Sequence, residues 1–236
     1  THGIHFHVDA AWGGPVLVSD KYAGLLKGIE RADSVTMDCH KQFYMPMTAG
    51  MVFFRDPAAM DVITYHARYV NRKGSVDLGI KSLEGSREAN SLILDAALKI
   101  MGSRGYALLI DHGIETARSF AALIEAHPMF QLVSRPVLNI LTYRLAPPDI
   151  RKKRQSAGQD EKQVIDRSLD EINRQIQRIQ RENGNSFVSR TRLKIDPGDD
   201  GNCVVLRCVI MNPYTSDSVL EDILAEQVSI FNNLVR

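Results

Sequence analysis

Two short strand-like runs each end in an aspartate, residues 4–9 (IHFHVD) and residues 33–38 (DSVTMD). The first passes into AAWGGP and the second into CHKQFYMP, so both stop at a loop. Their alternating polar and apolar positions predict strands, and AGMVFFRD predicts a third. Between the first two, DKYAGLLKGIERA has helical apolar spacing. PAAMDVITYHARYV starts as a helix, with Pro57 suited to its first turn. Residues 89–127 carry two helices broken near Gly102–Gly105 and ended before Pro128. Strands alternating with helices predict a parallel α/β sheet.

After Pro128 the pattern changes. FQLVSRPVLNILTYRLA, FVSRTRLKI and CVVLRCVIM read as strands, the last two joined by the turn-rich DPGDDGN. QVIDRSLDEINRQIQRIQREN is an amphipathic helix ended by NGN. SDSVLEDILAEQVSIFNNLVR is a last helix, with Ser218 and Glu221 spaced as a capping box. RKKR, residues 151–154, reads as a solvated charged connection. The expectation is therefore two parts, residues 1–128 and a smaller α+β domain over residues 129–236 with an antiparallel sheet.

Lys+Arg is 29 and Asp+Glu is 28, so no basic footprint for nucleic acid or a membrane surface is expected. The longest apolar runs are too short to span a bilayer. Three cysteines, Cys39, Cys203 and Cys208, without CxxC spacing, suit free thiols in a reducing cytoplasm. The chain opens abruptly on THGIHF, which reads as the C-terminal part of something longer.

On a strand, His5, His7 and Asp9 point to one face. Imidazoles and a carboxylate suit zinc or iron. The plainer reading is hydrogen-bonded strand histidines without chemistry, and no metal is expected. Asp9 has a second use. In doubly wound sheets ligands bind outside the carboxyl ends of strands, where both Asp9 and the Asp38-Cys39-His40-Lys41 run would lie. A lysine and a carboxylate meeting there suit pyridoxal 5'-phosphate, which needs a Schiff-base lysine and an acidic partner for its pyridine nitrogen. Lys41 and Asp9 fill those roles, and Ala11 is small enough for the ring to lie against it. His40 reaches the phosphate or assists proton transfer. A Cys39/His40 nucleophile is disfavoured, because adjacent residues at a strand end point apart. The bland alternatives are a surface lysine, a structural ion pair for Arg207, an N-cap for Ser86 and core filling for Met45, Met47 and Met51.

HVDAAWGG followed by ADSVTMDCHK resembles the group II pyridoxal-phosphate-dependent amino-acid decarboxylases, and the likeness continues through EGSREANSLILDAALKIMGSRGY to NCVVLRCVIMNP. The resemblance implies an aspartate-aminotransferase-like (fold-type I) large domain, of which residues 1–128 are the C-terminal part. It implies a homodimer whose active sites are shared between subunits. It implies that Gly85 and Ser86 donate to the cofactor phosphate of the neighbouring subunit. Residues 69–83 match a mobile catalytic loop whose tyrosine returns a proton to the substrate carbon, with Tyr69 the candidate and Tyr65 the runner-up. Arg207 matches the arginine that holds a substrate carboxylate, a task suited to a planar, permanently charged fork. KGIERADSVTMDCHKQFYMPMTAGMVFFRDP is most similar to the bacterial aspartate 1-decarboxylase subgroup, and Trp12-Gly13-Gly14 resembles the glutamate-type branch. The expected substrate is a small acidic amino acid, aspartate giving β-alanine, with glutamate giving γ-aminobutyrate as the alternative. Two other readings stand beside these. One is a different fold-type I enzyme, such as an aminotransferase or a cysteine-desulfurase-like lyase. The other is a catalytically inert domain, because in this family the upstream half supplies much of the cofactor site.

Overall fold

The computed structural model describes residues 3–66, 69, 74, 76, 78–199 and 201–235. The chain forms two compact units, Thr1–Asp111 and His112–Arg236.

The first unit is built on a three-stranded sheet of β1 (His7–Asp9), β2 (Ser34–Asp38) and β3 (Gly50–Phe54), in that order. β1 and β2 run parallel, with Asp9 opposite Thr36. β2 and β3 run antiparallel, with Asp38 opposite Gly50. A parallel return needs a crossover of a dozen or more residues, which residues 10–33 provide. Residues 39–49 are shorter and contain no helix, so the chain comes back antiparallel. The parallel sheet predicted from the pattern is therefore mixed at β3.

The helix predicted over DKYAGLLKGIERA is two 3₁₀ turns, Ala23–Leu26 and Ile29–Arg31. Gly28 between them has φ 101°, a left-handed conformation that a continuing helix does not tolerate. The helix expected after Pro57 is likewise one 3₁₀ turn, Ala59–Ile63. The two predicted later helices form one run, α1 (Asn90–Ala126), interrupted at Gly102 with φ 63° and ψ 172°. Its later turns belong to the second unit, where Ala117, Phe120 and Ile124 enter the core.

The second unit adds β4 (Phe130–Ser134), β5 (Ile140–Leu145), α2 (Pro148–Ser156), α3 (Gln159–Asn183), β6 (Ser189–Leu193), β7 (Cys203–Val209) and α4 (Asp217–Leu234). The sheet order is β4-β5-β7-β6 and every pairing is antiparallel, as the sequence predicts. Leu141, Tyr143 and Leu206 line its core face against Ile176 of α3 and Leu220 and Leu224 of α4. Tyr143 packs edge-on to Phe120 and Phe130 at 5.5 and 5.8 Å and pairs its hydroxyl with the Gln227 amide at 3.0 Å.

Two local expectations fail here. RKKR is not a solvated connection: it lies in α2, and Arg154 is buried among Asp166, Asp196 and Asp199. The three carboxylates compensate the buried guanidinium, which the sequence run alone does not reveal. The cap of α4 is Ser216, whose Oγ accepts from the Val219 amide, while Ser218 lies inside the helix. None of the described helices is long and apolar enough to cross a membrane.

Candidate active site

β1 and β2 are parallel, so their carboxyl ends lie side by side. Asp9 ends β1, is exposed, and its Oδ1 accepts from the Ala11 amide at 3.1 Å. Ala10 N–H donates to Thr36 O at 3.0 Å, and Asp38 N–H donates to Ala11 O at 3.2 Å. These bonds lace the HVDAA and MDCHK segments together. Lys41 follows in the turn after β2, with its Nζ 2.6 Å from Asp38 Oδ2. His40 Nδ1 lies 2.8 Å from Ala49 O, and its Nε2 is 3.8 Å from the same Asp38 oxygen. Asp38, His40 and Lys41 are thus one cluster; the sequence reading placed Asp38 at this edge but gave it no role. The signal was present in the i, i+3 spacing of a carboxylate and an amine across a strand-ending turn.

Cys39 is 2% exposed, and its amide is tied to Ala49 O at 2.9 Å. Burial, reinforced by the Asp38 charge, pushes its thiol up and so disfavours the thiolate. His5 Nε2 and His7 Nδ1 converge on the Ser34 hydroxyl at 2.8 and 2.7 Å. Both are hydrogen-bonded, His7 at the start of β1 and His5 just before it, and among the described residues no group of three His, Cys, Asp or Glu is placed to hold a metal. Met45 is buried, whereas Met47 is exposed.

A cavity of about 1460 Å³ opens in the same unit. Tyr65, Tyr69, Gly85 and Ser86 line it, together with Ala49 and Gly50 from the segment that contacts His40 and faces Asp38. Both tyrosines are exposed. Asp9, Ala11 and Lys41 are not in its wall. Of the expected loop, residues 70–73, 75 and 77 lie outside the described residues.

Arg207 lies in the second unit, half-buried on β7, opposite Thr142 of β5 and Ser189 of β6. Its charge acts on the neighbouring Cys208 thiol, and its carbonyl accepts from the Ser189 hydroxyl at 3.0 Å.

The donor set on the sheet edge fits pyridoxal 5'-phosphate. Lys41 is a primary amine with 32% of its side chain accessible, Asp9 is an exposed carboxylate, and Ala11 presents no bulk between the strand ends.

Residues 1–146 match the pyridoxal-dependent decarboxylase conserved domain. The chain is 46% identical over 228 residues to an aspartate 1-decarboxylase of Aliivibrio fischeri, covering 97% of this chain and 42% of that protein. It is 32% identical over 162 residues to a cysteine sulfinic acid decarboxylase of Mus musculus, covering 66% and 33%. The crystal structure of mouse CSAD superposes with a TM-score of 0.83 at 25% identity, over 97% of this chain and 46% of that one. A structure of Oryza sativa TDC with PLP and tryptamine shares the fold at a TM-score of 0.78 and 18% identity, over 98% and 45%. The chain spans less than half the length of each of these proteins. Its α/β architecture is the aspartate-aminotransferase-like, fold-type I architecture of these decarboxylases. With a family match over more than half its length, the chain belongs to the pyridoxal-dependent decarboxylase family.

Proposed function

We propose that this chain is the C-terminal part of a pyridoxal-5'-phosphate-dependent carboxy-lyase that converts aspartate to β-alanine. Residues 1–128 complete the cofactor-binding large domain, and residues 129–236 form the small domain. The enzyme works as a cytoplasmic homodimer, with Gly85 and Ser86 donating to the phosphate held by the neighbouring subunit. The observation that carries the chemistry is the Lys41 amine and the Asp9 carboxylate at the carboxyl edge of one parallel strand pair. The likeness to an aspartate 1-decarboxylase over 97% of the chain supports the substrate.

When bound, the cofactor supplies an electron sink for the pair left behind as carbon dioxide departs. Lys41 Nζ is the amine that anchors it. Asp9 keeps a proton on the pyridine nitrogen. His40, anchored through Nδ1 at the Ala49 carbonyl, reaches the cofactor phosphate or assists proton transfer. Tyr69 returns a proton to the substrate α-carbon. Arg207 holds the carboxylate that is not lost, through its planar guanidinium fork.

The test uses the full-length protein with pyridoxal phosphate and either aspartate or glutamate, with Lys41→Ala as control. β-Alanine that disappears in the variant supports the proposal. γ-Aminobutyrate moves the substrate to glutamate, and no release of carbon dioxide from either sinks the acidic-substrate reading.

A further inference from the structure

One carboxylate serves two residues of this edge. Asp38 Oδ2 lies 2.6 Å from Lys41 Nζ and 3.8 Å from His40 Nε2. The backbone beneath it is tied on both sides. Its amide donates to Ala11 O at 3.2 Å, and its carbonyl accepts from the Lys41 amide at 3.3 Å. The other oxygen faces β3, where a Cβ added to Gly50 would come within 3.2 Å of Oδ1. Gly50 therefore leaves the space the carboxylate occupies.

Lysine carries its charge on a flexible four-carbon stem, so an unheld amine spreads over many rotamers. Exposed ion pairs contribute little to stability. This pair differs in being partly sheltered, with 32% and 24% of the two side chains accessible, and in joining an amine to the strand end that precedes it. Its worth lies in orientation and proton transfer: the Asp38 carboxylate beside Nζ takes the amine's extra proton, the neutral amine adds to the aldehyde carbon, and water leaves as the C=N bond forms.

We propose that Asp38 is a positioning residue for Lys41, holding the ε-amine at the carboxyl edge of β1 and β2 in the orientation from which it meets the cofactor aldehyde. The inference rests on the reading of Lys41 as the anchoring amine.

The experiment times that encounter directly. Full-length protein is mixed with pyridoxal 5'-phosphate and quenched with borohydride at intervals. Phosphopyridoxyl-Lys41 is then quantified by peptide mass spectrometry. Asp38→Asn keeps the shape and removes the charge. It is expected to slow labelling of Lys41 by about 10-fold, the scale of one lost orienting contact, with its melting temperature close to wild type. Asp38→Glu, which restores the charge, recovers part of the rate. Gly50→Ala crowds the carboxylate from the next strand and slows labelling by roughly 2–5-fold on the same argument. An unchanged rate in folded Asp38→Asn overturns the role of Asp38 while leaving Lys41 in place. If Asp38→Asn does not fold, an unchanged rate in Gly50→Ala overturns it instead. Wild-type protein that takes no label at Lys41 overturns the reading of Lys41 and this inference with it.

Discussion

Arg154 meets Asp166 through two parallel hydrogen bonds, Nε to Oδ1 at 2.8 Å and Nη2 to Oδ2 at 3.0 Å. The same guanidinium reaches Asp196 and Asp199, each at 2.6 Å. One side chain of α2 thereby fastens α3 and the loop between β6 and β7. Asp196 is largely exposed and contributes little, whereas Asp166 and Asp199 are sheltered. Arg154→Met leaves sheltered Asp199 without its cation and Asp166 with Arg144 alone. The expected loss is about 3–5 kcal/mol, read as a lower urea midpoint. Lys153→Met, on the exposed side of the same helix, changes the midpoint little.

Asp166 also makes stability depend on pH. Burial on its own raises its carboxyl, but hydrogen bonds from Arg154 and Arg144 outweigh that and hold it below the ordinary value. A group depressed on folding adds stability that is complete above its unfolded value, about 3.9, and is lost as pH falls through the folded one. The unit should therefore weaken on acidification below about pH 4. In Asp166→Asn, thermal midpoints measured from pH 6 downward should start lower and fall less steeply.

Lys41→Ala removes the only group proposed to anchor the cofactor covalently. Borohydride reduction of the full-length variant should leave the peptide spanning position 41 without added cofactor mass. Turnover should fall on the order of 10³-fold or more, the scale seen when a covalent nucleophile is deleted.

The role proposed for Arg207, holding the second carboxylate of aspartate, is open to a kinetic test. Arg207→Ala in the full-length enzyme should raise KM for aspartate by roughly 10–100-fold, as expected for the loss of a charged hydrogen-bonding partner. Arg207→Lys keeps the charge but not the fork and should recover only part of the affinity. Equal kinetics in wild type and Arg207→Ala would assign Arg207 a structural role.

Gly102 interrupts α1 with φ 63°, and a Cβ there meets nothing within 4 Å. The cost of Gly102→Ala is thus conformational rather than steric, about 1–3 kcal/mol for a positive-φ, extended-ψ conformation that is essentially confined to glycine. Chemical denaturation checks it.

Periodicity and turn chemistry determined much of this protein before any contact was known. The antiparallel sheet, the amphipathic α3 and the break at Gly102 follow from local pattern, because one buried face and one breaker are written in consecutive residues. Lys41, His40 and Asp9 were legible as candidates for a similar reason: strand-ending positions are local, and their chemistry is uncommon there. Tertiary structure decided what depends on partners far along the chain. Gly28 in a left-handed conformation turned an apparent helix into two 3₁₀ turns, and the short return after Asp38 made the sheet mixed. Arg154 looked like one more surface cation until Asp166, Asp196 and Asp199 closed around it from 12 to 45 residues away. A charge is stable in an interior only when its compensating charges arrive with it, and that arrival is a property of the folded chain.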